Sequence, residues 1–63
     1  MSGQLESQHF FRTGDTVRDL EGRQGTVIDG TALYATIEWE FGSRAEVEQF
    51  DPRIAVVERA QHA

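Results

Sequence analysis

At 63 residues the chain can hold one small domain at most, and a domain of that size buries only about 60% of the surface its unfolded chain exposes, so its core is thin. Six Lys+Arg against eleven Asp+Glu give a formal charge of −5, which argues against phosphate-rich partners, because nucleic-acid binding rests largely on basic side chains neutralising phosphates. The absence of cysteine excludes disulfide staples and thiolate metal sites.

Met1 to Gln8 is polar and aperiodic, so residues 1–9 are expected to be a disordered tail. Strand signals then repeat at short spacing. The first strand is expected over Asp15 to Leu20, with Val17 pointing inward, and Glu21-Gly22-Arg23 turns the chain. Gly25 to Asp29 reads as the second strand, carrying Val27 and Ile28, and Asp29-Gly30-Thr31 is a turn signal. The third strand is the clearest: Leu33, Ala35, Ile37, Trp39 and Phe41 alternate with Tyr34, Thr36, Glu38 and Glu40, the period of a strand with one buried face. Gly42-Ser43 turns into a fourth strand from about Ala45 to Phe50. Pro52 fixes φ and donates no hydrogen bond, so Asp51-Pro52-Arg53 breaks that strand with a short 3₁₀ turn. Ile54 to Glu58 is a last β-branched strand, and residues 61–63 are expected to fray.

Five short strands in so short a chain cannot form a flat open sheet with a covered face. Curling buries the inner side chains and hides most edges. The expected fold is all-β: a five-stranded SH3-like barrel over residues 10–60, with a 3₁₀ turn before the last strand.

The run Gly14-Asp15-Thr16-Val17 through Gly22 to Gly25-Thr26-Val27 resembles the opening of KOW-like and other bacterial SH3-like barrels, a Gly-Asp-x-Val strand, a glycine turn and a Gly-x-Val second strand. The likeness continues to Ala55-Val56-Val57-Glu58-Arg59. It implies the barrel fold and, through KOW modules, an RNA or RNA-polymerase contact that Arg18 and Arg23 would carry. A narrower set, Gly14-Asp15, Val17-Arg18, Gln24-Gly25, Tyr34-Ala35 and Glu58-Arg59, is similar to the plasmid-borne type II dihydrofolate reductases, SH3-like chains that work as tetramers around one pore. That resemblance implies a homotetramer using NADPH, with Gln49 as the pore glutamine. Here the family's Val-Gln-Ile-Tyr stretch reads Glu48-Gln49-Phe50-Asp51, and its lysine position falls at Asp19 or Leu20. Carboxylates thus stand where anionic ligands would sit, and repulsion in a confined pore costs several kcal/mol at an effective dielectric near 20.

The residues themselves point to a different use. If Trp39 and Phe41 share a face with Val47 and Ala45, the register sets Glu38 opposite Glu48 and Glu40 opposite Glu46. Like charges directly opposite are unfavourable, which suggests a carboxylate ladder kept for a basic partner. Its plainer reading is a solvated face that keeps the protein soluble. Gly42-Ser43 also suits a two-residue type II′ turn, which would set Trp39 opposite Glu46; the hydrophobic pattern is given precedence. Tyr34 lies on the polar face. Of the adjacent Phe10 and Phe11, one is expected to cover the barrel end while the other is exposed, a hint of a partner site.

No catalytic constellation, phosphate cradle or metal cage is legible: His9 and His62 stand near the two ends, and Gly22-Arg23-Gln24-Gly25 lacks a strand-to-helix context and a lysine. The leading expectation is therefore a non-enzymatic binding module, without cofactor or metal, that docks on a protein partner through Glu38, Glu40, Glu46, Glu48 and Tyr34, with Phe10 or Phe11 at the edge. Self-association is compatible with so small a core. No apolar run approaches the roughly 18 residues of a membrane span, and the N-terminal residues lack the pattern of a signal peptide, so a soluble, cytoplasmic domain is expected.

Overall fold

A computed structural model describes residues 10–60. The expected tail, 1–9, and frayed end, 61–63, lie outside the described residues, as do His9 and His62. Five strands, β1 (Thr16–Arg18), β2 (Gln24–Gly30), β3 (Tyr34–Trp39), β4 (Arg44–Glu48) and β5 (Ala55–Glu58), form one antiparallel sheet in the order β4-β3-β2-β1-β5. No helix occurs among the described residues, so none there is long and apolar enough to cross a membrane.

One face of this sheet carries the core. Val17, Val27, Ala35, Ile37 and Trp39 are buried together, Val47 and Val56 pack against them, and Phe11 and Ile54 complete the cluster from outside the strands. Trp39 lies opposite Gly25 across β2 and β3. A Cβ at Gly25 would come within 2.7 Å of Ile37 Cγ2 and 2.8 Å of Trp39 Cε3. Gly25 is thus the gap into which the largest core side chain settles.

The same three-residue loop builds two hairpins. Between β1 and β2, Asp19 N–H donates to Arg23 O and Gly22 N–H to Asp19 O; between β3 and β4, Trp39 N–H donates to Ser43 O and Gly42 N–H to Trp39 O. Gly22 and Gly42 have φ of 86° and 97°, the left-handed conformation that closes such a loop as a bulge.

That loop corrects the expected register. Phe41 sits at its tip, 53% exposed, and not in a strand. β3 and β4 therefore pair as Tyr34↔Glu48, Thr36↔Glu46 and Glu38↔Arg44. Neither the Glu38–Glu48 and Glu40–Glu46 pairing nor the two-residue Gly42-Ser43 turn occurs. The inward parity survives, with Ala35 opposite Val47 and Ile37 opposite Ala45, although Ala45 on the edge strand stays exposed. Leu33 is likewise outside β3 and 70% exposed. The Thr31 hydroxyl accepts the Leu33 and Tyr34 N–H groups, and Thr31 N–H donates to Tyr34 O, so a turn claims Leu33 before the strand begins. β1 stops at Arg18 because the Asp19 carboxylate accepts the Glu21 and Arg23 N–H groups and starts the turn. The break at Pro52 is a single hydrogen-bonded turn, with Ile54 N–H donating to Asp51 O.

Candidate functional site

The solvent side of β3 and β4 presents Tyr34, Thr36 and Glu38 beside Glu48, Glu46 and Arg44. Arg44 reaches the Glu38 carboxylate at 3.5 Å. Among the described residues neither Glu46 nor Glu48 has an ion-pair partner within 4 Å; Arg23 pairs with Asp19 and Glu21, Arg53 with Asp51 and Arg59 with Asp15, and Arg53 feels the Glu48 charge only at longer range. Glu40 is displaced into the hairpin loop, away from the strand ladder in which it was expected.

At the Tyr34 end of this face an open groove of about 320 Å³ is lined by Ala32, Leu33, Tyr34, Glu48, Gln49 and Phe50. Phe50 is 47% exposed, and its ring lies 5.8 Å from that of Phe10, also exposed. Phe50 is the one non-glycine among the described residues with positive φ, at 64°. Asp51 N–H donates to Glu48 O, so Phe50 holds the third position of a turn. Positive φ there is the type II pattern, which ordinarily calls for Gly or Asn. A bulky residue held in this conformation stores on the order of 1–3 kcal/mol of strain.

Gln49 holds the groove floor. Its side-chain Oε1 accepts Phe11 N–H at 2.8 Å, its Nε2 donates to Phe11 O at 3.1 Å and Thr31 O at 3.0 Å, and its own N–H donates to Leu33 O. The amide that the reductase resemblance would place in a pore is spent on tying the segment before β1 to the turn before β3. Phe11, one of the two aromatic contact candidates, is 1% exposed and belongs to the core, which leaves Phe10 as the exposed member.

The basic candidates lie apart from this site. Arg18 donates to Gln24 Oε1. Arg23 stands 5.4 Å over the Phe41 ring and binds two carboxylates, so its charge is largely compensated. Asp19, Leu20, Glu21, Arg23, Trp39, Arg53 and Ile54 line a second open hollow of about 260 Å³. Among the described residues no three His, Cys, Asp or Glu side chains gather closely enough to hold a metal ion.

Two turn carboxylates are acid-sensitive. The Arg53 side-chain hydrogen bonds hold Asp51 below the ordinary aspartate value of 3.8, against burial that pushes it up, and the same pairing raises Arg53. Burial pushes Asp19 up, but hydrogen bonds from Arg23 and Glu21 bring it below that value. A carboxyl depressed in the folded state stabilises above its unfolded pKa, and that contribution is lost as pH falls through the folded one. The melting temperature should therefore be insensitive to these groups above about pH 5 and fall from about pH 4 downward. Asp51→Asn should flatten that acid limb in thermal melts followed by circular dichroism.

No family model, curated protein or solved structure matches this chain.

Proposed function

We propose that residues 10–60 curl into a small SH3-like barrel that works as a non-enzymatic docking module for a basic protein surface. Support for the barrel comes from all five strands contributing, on one face, to a common core; the two sheet edges, β4 and β5, are not paired with each other. The contact face is that of Tyr34, Glu38, Glu46 and Glu48, with Phe10 at its edge and Glu40 in the adjoining loop. The observation that carries the reading is that Glu46 and Glu48 lie along one solvent-facing strand with no ion-pair partner within 4 Å among the described residues, while Arg44 on the same face is taken by Glu38 and Arg23, Arg53 and Arg59 are paired elsewhere. Such a surface raises the encounter rate with a positively charged partner and fixes its orientation.

Titration of the protein with a deca-lysine peptide at low salt, followed by amide NMR shifts, tests this. Shifts are expected at Tyr34, Thr36, Glu46 and Glu48, and they should disappear with Glu46→Lys/Glu48→Lys. Because both side chains are exposed, the double variant should melt within a few degrees of the unaltered protein. Shifts spread evenly over the surface, or retained in the variant, would remove the reading.

A further inference from the structure

We infer that the groove between Leu33 and Phe50 is the anchor pocket of this docking face, and that its occupant is an extended peptide segment carrying an apolar side chain followed by basic residues at two-residue spacing. The inference rests on the docking reading above and specifies the partner's chemistry.

Three observations converge on it. Leu33, Tyr34, Phe50 and Phe10 are all exposed, and the first three line one groove whose base is Gln49. A stripe of large apolar side chains around a hollow offers burial to a ligand that single scattered residues do not. The groove is also preorganised. The Gln49 side-chain bonds to Phe11 and Thr31, and its backbone bond to Leu33, fix both walls before anything binds. Phe50 is held in a backbone conformation that glycine or asparagine would adopt at lower cost, yet its ring points where solvent can reach it. Strain kept at an exposed aromatic is accounted for if the ring has an external contact to make.

Charge sets the direction and spacing. Glu48 lines the groove and Glu46 follows it along the outer face of β4. Side chains two apart on a strand stand about 6.6 Å apart, the repeat of an extended peptide laid alongside. An apolar residue seated against Leu33 and Phe50 therefore carries its next same-side neighbours past Glu48 and then Glu46. Lys or Arg at those positions meets a carboxylate without an ion-pair partner among the described residues.

A phage-displayed library of random dodecapeptides, panned against the immobilised protein, tests the proposal. Enriched sequences are expected to place an aliphatic or aromatic residue two positions from a Lys or Arg. A synthetic copy of the leading sequence, read by fluorescence anisotropy, should bind Phe50→Asn and Leu33→Ser at least tenfold more weakly. Phe50→Asn should melt no lower than the unaltered protein, which separates lost contact from lost fold; Leu33→Ser, in an exposed turn, provides a second variant. Enrichment of basic sequences without an apolar anchor, sensitive to Glu46→Lys/Glu48→Lys but indifferent to Phe50→Asn, would overturn the pocket and leave the acidic face standing. Acidic sequences, or sequences indifferent to every variant, would overturn both. No enrichment at all would overturn the pocket.

Discussion

Asp15→Ala should cost about 3 kcal/mol, as much as truncating a core side chain. The carboxylate is 1% exposed. It accepts Arg12 N–H at 3.0 Å, Ala60 N–H at 2.8 Å and Arg59 Nη1 at 2.6 Å. Arg59 also donates to Phe10 O. Alanine leaves two backbone donors unsatisfied, at about 1–3 kcal/mol each where water cannot reach them, and removes a charged acceptor. Arg59 is partly exposed and recovers some hydration, which keeps the total below that of a fully buried pair. A chain of this length has roughly 3–9 kcal/mol of stability in all. At about 4–8 °C per kcal/mol, the melting temperature should fall by roughly 12–24 °C. Urea and thermal unfolding read by circular dichroism measure it. A drop of only two or three degrees would show that the clasp between the two ends is dispensable.

Gly25→Ala should cost about 2–3 kcal/mol, although it adds a single methyl group. The new Cβ would meet Ile37 Cγ2 at 2.7 Å, Trp39 Cε3 at 2.8 Å and the Glu38 carbonyl oxygen at 2.9 Å. The carbonyl belongs to β3, an inner strand paired on both sides, and cannot swing aside, so the indole has to move. Two readouts should change together: the melting temperature falls, and the Trp39 emission shifts to the red as the ring gains water. An unchanged emission maximum with normal stability would mean that β2 and β3 separate slightly without cost. Single extra methylenes are felt this strongly because interiors are packed to crystal-like density, and among the described residues only seven buried apolar side chains share the displacement.

The sheet was legible in the sequence because alternation is a local property. Val17, Ala35, Ile37 and Trp39 can each be placed inside from their neighbours alone, whereas adjacent Val27 and Ile28 leave open which of them faces in. What alternation cannot show is where a strand stops. Leu33 and Phe41 continue the period of β3 by two residues, one at each end, yet Thr31 and Gly42 commit them to turns. Once Phe41 is given to a three-residue loop, the partner of every residue on β4 moves by four, and the expected opposition of glutamates becomes Glu38 beside Arg44. The repeated pattern of glycine three residues after Asp19 and after Trp39 was the available signal for both loops.

The candidate site was less legible, since it depends on contacts between residues far apart in the chain. Gln49 acts on Phe11, 38 positions away, and Asp15 on Arg59 and Ala60, 44 and 45 positions away. No local rule assigns those partners. Phe50 is legible in part: it breaks the alternation of its strand just before Asp51-Pro52, which leaves capping the barrel end and lining a groove both open, and the structure puts it in a groove lining. What no local rule shows is its backbone, because a phenylalanine rarely adopts positive φ.

The Asp15 clasp also brings the two ends of the described unit together. A Cβ at Gly14 would meet Ala60, so the segment leading into β1 and the segment leading out of β5 run side by side. Residues 10–60 can therefore be spliced as a cassette into a surface loop of another protein without forcing that loop apart. By the same adjacency, a short peptide from Ala60 to Phe10, with new termini opened at Leu20, yields a circular permutant in which the clasp lies inside the chain.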